Sequence, residues 1–202
     1  MKPTEELSGE HRVIEKAIGA LECLAGAAKK EGKLDKVDAE SAIDFIRTFA
    51  DKMHHGKEED RLFPAMEAHG LSAEAGPTAM MRQEHEIGRA HVRAMAGAVK
   101  GAASGEAAEL HVFVEGALGY GSLLRNHIQK EDNILYPMAL QVIPPDEMKA
   151  LEAEFARVDK EMGPGFHAKY IALAGKLSDK YSVKKKNHAL HNEGCSICGE
   201  GG

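Results

Sequence analysis

Six residues of two types recur in this chain at spacings that suit metal binding. The stretch His54-His55-Gly-Lys57-Glu58-Glu59-Asp-Arg-Leu62-Phe63-Pro64 returns as His127-Ile-Gln-Lys130-Glu131-Asp132-Asn-Ile-Leu135-Tyr136-Pro137, at an offset of 73 residues from Leu62 to Leu135. Both copies read His-x-x-x-Glu. Residues four apart on an α-helix lie about 40° apart round the axis and about 6 Å along it, so each His and Glu can present an imidazole and a carboxylate to one point. Glu10-His11 likewise returns as Glu84-His85, at an offset of 74 residues. The chain therefore reads as two copies of one unit: a helix carrying one histidine, then a helix carrying His-x-x-x-Glu.

Four histidines (His11, His54, His85, His127) and two carboxylates (Glu58, Glu131) result. This set suits iron, manganese or zinc better than calcium or magnesium, which prefer oxygen alone. Six protein donors exceed the needs of one tetrahedral zinc. Two metals bridged by the carboxylates use them more naturally.

The pattern His11, His54-x-x-x-Glu58, His85, His127-x-x-x-Glu131, with a lysine before each glutamate and Leu-aromatic-Pro after it, resembles the hemerythrin-like (HHE) cation-binding family over roughly residues 5–140. The resemblance implies an all-α fold, an antiparallel up-down four-helix bundle, with a non-haem di-iron centre whose ligands are those six residues. It also implies binding of oxygen, nitric oxide or peroxide. Each of the two iron ions would take two histidines and an oxygen from each bridging glutamate, with an oxo or hydroxo bridge and an open position. The oxygen carriers of the family have a further histidine where this chain has Arg89, and use His-x-x-x-x-Asp on the fourth helix. The resemblance is thus to the four-His, two-Glu branch, which includes di-iron proteins that repair damaged iron centres. Asp132 is available for the alternative spacing.

The elements that must position these residues follow from composition and periodicity. A chain of 202 residues suits one well-buried domain with an appendage. With 26 basic and 32 acidic residues it offers no broad basic field for nucleic acid or an anionic membrane, so a small ligand is the expected partner. No run is long and apolar enough to span a bilayer, and Met1-Lys-Pro-Thr-Glu-Glu lacks the apolar core of a secretory signal, which makes the cytoplasm the expected compartment. Three cysteines do not form a disulfide framework, and Cys23 is expected to be a small buried hydrophobe.

Apolar residues at helical spacing predict a first helix from Glu5 to Lys30, capped by Thr4, with His11 on its apolar stripe. A second runs from Asp38 to Ala68, carrying Pro64 inside it and stopping at Gly70. Pro137 occupies the matching place in the fourth, and both prolines predict kinks just beyond the ligands. His55, about 100° round from His54, is expected at the surface or behind the ligands. The third helix starts at Pro77 and reaches about Val99; its methionines read as core, and His91 falls off the His85 face. The fourth spans Ala107 to Val142, where Gly116, Gly119 and Gly121 predict either a tight crossing or room for a ligand. Tyr120, two turns before His127, lines the space above the metals or packs in the core. At about 1.5 Å per residue, the histidines of antiparallel neighbours agree in height to within roughly 6 Å.

Pro144-Pro145 ends the bundle, giving a division into 1–143, a helical extension 144–182 and a tail 183–202. The extension should pack outside the bundle, cover an end, or support a homodimer. In the tail, His188, His191, Cys195 and Cys198 have the residue types of a zinc or iron site or a redox dithiol, or belong to a tail without a cofactor. Three functions are open: binding or sensing of a diatomic gas, with stress response or iron-centre repair as settings; an enzyme of peroxidase, nitric oxide-reducing or ferroxidase type; or a structural or storage metal bundle.

Overall fold

The computed structural model describes residues 2–181, and every regular element among them is helical. Helix α1 spans Pro3–Glu31, α2 covers residues 36–68, α3 is Pro77–Ser104 and α4 covers residues 107–142. Helices α5 (Pro145–Met162) and α6 (Phe166–Lys180) follow. Helix α1 packs against α2 and α4, as does α3. Tight turns link α1 to α2 and α3 to α4, and the Leu34 amide donates to the Ala102 carbonyl, which ties the two turns together at one end. The result is the expected antiparallel up-down bundle.

The helix ends explain small departures from the expected boundaries. Helix α1 begins at Pro3, whose fixed φ suits a first helical position, so Thr4 lies inside the helix rather than capping it. Asp35 caps α2 by accepting from the Asp38 amide. Helix α3 runs past Val99 to Ser104, where left-handed Gly105 ends it. Gly116 and Gly119 make the tight crossing: a Cβ would lie 2.8 Å from Met95 Cγ at the first and 2.5 Å from the His91 ring at the second. Glu22 fills the space at Gly121 in the same way.

The expected kinks at Pro64 and Pro137 take the form of π-helical turns. Glu58–Leu62 and Glu131–Leu135 are π-helical, and the Phe63 and Tyr136 amides reach back five residues to the Glu58 and Glu131 carbonyls. A proline clashes with the carbonyl four residues before it, and a wider turn relieves the clash. A longer π-helical stretch, Ile46–His55, precedes the first of these.

The core falls into two apolar clusters with the polar layer between them. One gathers Ile14, Met53, Val92, Leu124 and Ile128 with the residues towards the tight turns; the other gathers Leu7, Leu62, Phe63, Met81, Leu135 and Tyr136. The four repeat histidines sit in sequence between members of the two. Helices α5 and α6 lie against α1 and α2. Phe155 enters the second cluster and Tyr170 the first, while the Tyr170 hydroxyl donates to Asp44. Cys23 is exposed, because Leu21, Leu24 and Ala25 take the inward positions of that turn, so it is not the buried hydrophobe expected.

Candidate metal centre

His11, His54, Glu58, His85, His127 and Glu131 meet in one layer, and each is at most 2% exposed. Two overlapping groups of donor atoms lie within 4.8 Å: His11, His54, Glu58 and Glu131 in one, and His55, Glu58, His85 and His127 in the other. Glu58 belongs to both. Glu131 also spans them, with one oxygen 3.2 Å from His11 Nε2 and the other 3.1 Å from His127 Nε2. His85 Nε2 lies 3.0 Å from His127 Nε2. Adjacent donors on a metal with bonds near 2.1 Å are about 3 Å apart, so these separations match the edges of a coordination sphere.

Each repeat histidine is oriented by a carboxylate at Nδ1. His54 pairs with Glu10 at 2.8 Å, His127 with Glu84 at 2.9 Å, His11 with Asp132 at 2.9 Å and His85 with Glu59 at 2.5 Å. The acid preceding the histidine of α1 or α3 thus serves α2 or α4, and the acid following each bridging glutamate serves the histidine of α3 or α1. With Nδ1–H donated outward, the Nε2 lone pair is left facing the layer. Behind the carboxylates stand cations. Lys57 reaches Glu10 at 2.7 Å, Lys130 pairs with Glu84, Arg12 reaches Asp132 at 2.5 Å and Arg89 reaches Glu59 at 2.9 Å. The lysine of the repeat therefore supports the acid that aims its own helix's histidine.

The electrostatics of the layer call for a cation. Glu58 Oε2 and both Glu131 oxygens are buried without a hydrogen bond of acceptable geometry, and such orphaned acceptors are costly. Burial, reinforced by neighbouring Glu131, pushes the Glu58 carboxyl well above its usual value. At Glu131 burial acts the same way, but His127 and His11 outweigh it and hold the group well below. Burial takes His54 down to about 4. For His127 the burial penalty is overcome by Glu131 and Glu84, which lift it to about 9. Two imidazole nitrogens 3.0 Å apart must share a proton or a metal ion. The donor set fits borderline divalent metals, with positive charge placed between the carboxylates.

A family model for the hemerythrin HHE cation-binding domain matches residues 2–139. The chain belongs to that family. No curated protein and no solved structure matches it. Its metal-binding domain is α1–α4, the match ending within the last turns of α4.

Asp132 orients His11 and also accepts from Ser8 and Arg12, a role distinct from the donor groups. Arg89, at the place of the carriers' extra histidine, pairs with Asp51, Glu59 and Glu86. Tyr120 is buried, its hydroxyl unpartnered, beside a cavity of about 170 Å³ that also reaches His55 and His85.

Of the two places expected for His55, the structure gives the one behind the ligands: it is buried and stacked on His85 with ring centroids 3.7 Å apart. Within the π-helical turns of 46–55, adjacent residues His54 and His55 are both buried. A faint signal existed in Asp51, four residues earlier and paired with its Nδ1 at 3.2 Å. Tyr136 was read only as part of a motif. Its hydroxyl donates to Glu58 Oε1 at 2.7 Å and lies 3.3 Å from His11 Nε2, which Phe63, its counterpart in the repeat, has no group to do. The candidate tail site His188, His191, Cys195 and Cys198 lies outside the described residues.

Proposed function

We propose that this HHE domain holds two iron ions through His11, His54, Glu58, His85, His127 and Glu131, and that it binds or reacts with oxygen, nitric oxide or peroxide. The observation that carries the reading is the sharing of Glu58 and Glu131 between two histidine groups in a layer enclosed by apolar clusters. Iron bound there supplies reversible one-electron chemistry and room for a small added ligand. The protein's own groups do the rest. Carboxylates at four Nδ1 atoms fix the imidazoles. Leu7, Phe63 and Tyr136 on one side and Ile14, Leu124 and Ile128 on the other exclude bulk water. The Tyr136 hydroxyl donates to Glu58 Oε1 at 2.7 Å and so fixes that carboxylate in the half of the layer that holds His11. A cavity of about 170 Å³ next to His85 suits molecules of a few atoms rather than a bulky substrate.

The reading is tested by titrating reduced, iron-loaded protein under argon with oxygen, nitric oxide and hydrogen peroxide while recording optical spectra. A gas-binding protein gives a saturable change reversed by removing the gas, and an enzyme gives catalytic consumption. Spectra unmoved by all three would overturn the reactive di-iron reading in favour of a structural metal bundle.

A further inference from the structure

We propose that the outer face of α3 packs antiparallel against α3 of a second copy of this chain, forming a homodimer. Met80, Gln83, Ile87, Ala90, Ala94 and Gly97 follow one another at alternating steps of three and four residues, the spacing that lines up one seam of a helix. They lie opposite the buried stripe that holds Met81, His85, Val92 and Val99. All six are exposed, Met80 by 52% and Ile87 by 44%, and none is charged. The solvent face of a helix is ordinarily its charged one. The contact lies on the far side of α3 from the metal layer and is independent of what the layer binds.

The first half of the repeat shows what such a face takes. At the 74-residue offset, Val13 and Ala20 of α1 stand where α3 has Ile87 and Ala94. Helix α6 packs along α1, and Ala20 is only 2% exposed. Val13 is partly buried against the first apolar cluster, as are Met162 and Phe166 of the extension. That face of α1 is covered by helix, whereas its counterpart on α3 stays open among the described residues.

Side-chain sizes and charges on α3 fit a second copy in one register. With the two-fold axis passing between Gly88 and Arg89, Ile87 faces the partner's Ala90, Gln83 the partner's Ala94 and Met80 the partner's Gly97. A long side chain then meets a small one at every level, as interdigitating layers require. Glycine weakens a helix interior, and nothing within the chain calls for it at position 97, where a Cβ would have no neighbour within 4 Å. Room for the partner's Met80 does call for it. At the edge of the seam Glu86, whose side chain is 63% exposed and meets Arg89 in its own chain, faces the partner's Arg93. Arg93 is exposed, and the two-fold axis makes this opposite-charge pairing twice. One helix per partner is narrower than a standard interface, so association in the micromolar range is expected.

Sedimentation velocity of the full, iron-loaded chain across the micromolar range tests the dimer. A concentration-dependent equilibrium between one copy and two is expected. Ile87→Glu brings like charges into the seam and should weaken association at least about hundredfold. Glu86→Arg and Arg93→Glu, each setting like charges face to face at both edges, should each weaken it about tenfold, and the double variant should restore it. The substituted side chains are exposed, so circular-dichroism melts of the variants should stay close to that of the parent. A single copy at every concentration would overturn the dimer. Association that survives Ile87→Glu would place the contact on another face, and a double variant as weak as its singles would overturn the antiparallel register.

Discussion

Lys57 and Lys130 occupy the same place in the repeat, yet replacing them should have very different costs. Lys57 is fully buried and makes ion pairs with Glu6 at 2.6 Å, Glu10 at 2.7 Å and Asp159 at 2.7 Å, its ammonium lying 5.6 Å from the Phe155 ring centroid. Burial opposes its charge, but Glu10, Asp159 and Glu6 outweigh burial and raise its pKa above the usual lysine value. Lys57→Met keeps the apolar stem and removes the cation, which leaves Glu10 buried at 5% exposure with only His54 as a partner. Breaking a buried pair in this way costs about 3–5 kcal/mol. In a domain of this size that is a fall in Tm of roughly 6–20 °C. Because Glu10 also aims His54, metal affinity should fall about 10–100-fold. The Lys130 side chain is 34% exposed, and Lys130→Met should cost no more than about 1 kcal/mol. Glu10→Gln in the Lys57→Met background should recover part of the loss, since it removes the stranded charge. Urea denaturation of the four proteins, each stripped of metal, together with iron titration, measures all of this. Equal small losses for the two lysines, with iron affinity unchanged, would refute the argument.

Other expectations follow from the charges of the layer. Glu58→Gln should abolish tight metal binding yet raise the Tm of metal-free protein at neutral pH. Burial and Glu131 raise the Glu58 pKa, so its stability contribution is fully present below the unfolded value near 4.5 and is lost as pH rises through the folded value. The gap between variant and parent should therefore widen with rising pH above about 4.5, and a gap independent of pH would contradict this. On the acid side the signs reverse for Glu10, Glu84, Asp132 and Asp51. Burial opposes ionisation in Glu10, Asp132 and Asp51, but their histidine partners and nearby cations lower them; at Glu84 the His127 bond leads. Their contribution is present above the unfolded carboxylate values and is lost as pH falls, so metal-free protein should destabilise steadily below about pH 4.5. Circular-dichroism melts across pH 2.5–7 check both limbs, taken in steps of about half a unit through the carboxylate range. Deleting residues 187–202 should leave the iron content of the bundle unchanged, because every donor lies between His11 and Glu131; loss of both irons on deletion would contradict that.

Most of the site was legible because it repeats. One histidine on an apolar stripe is ambiguous, but four at matched offsets with two glutamates at helical spacing are not, and α1–α4 are long enough for position along the chain to translate into height. Glu10 and Glu84 were visible as part of the repeat, but their service to a histidine on another helix is a property of packing. The depth of Lys57 was hidden for the same reason: Asp159 and Phe155, which cover it, lie about a hundred residues further on, in α5. For His55 the choice between the surface and a place behind the ligands stayed open, because packing against His85 and the pairing with Asp51 decide it. Pro64 and Pro137 did announce their π-helical turns, although as kinks. The glycines of α4 left two readings open, and Met95, His91 and Glu22 decide for close packing.

The central claim is a pair of metals held by shared carboxylates, and Mössbauer spectroscopy of the oxidised protein, with iron quantified on the same sample, tests it most directly. Glu131 reaches both histidine groups and Glu58 belongs to both, so two irons per chain should be magnetically coupled, with a diamagnetic ground state at low temperature and no paramagnetic resonance signal. One iron per chain, or two that show the magnetic spectrum of isolated high-spin ferric ions, would contradict the account.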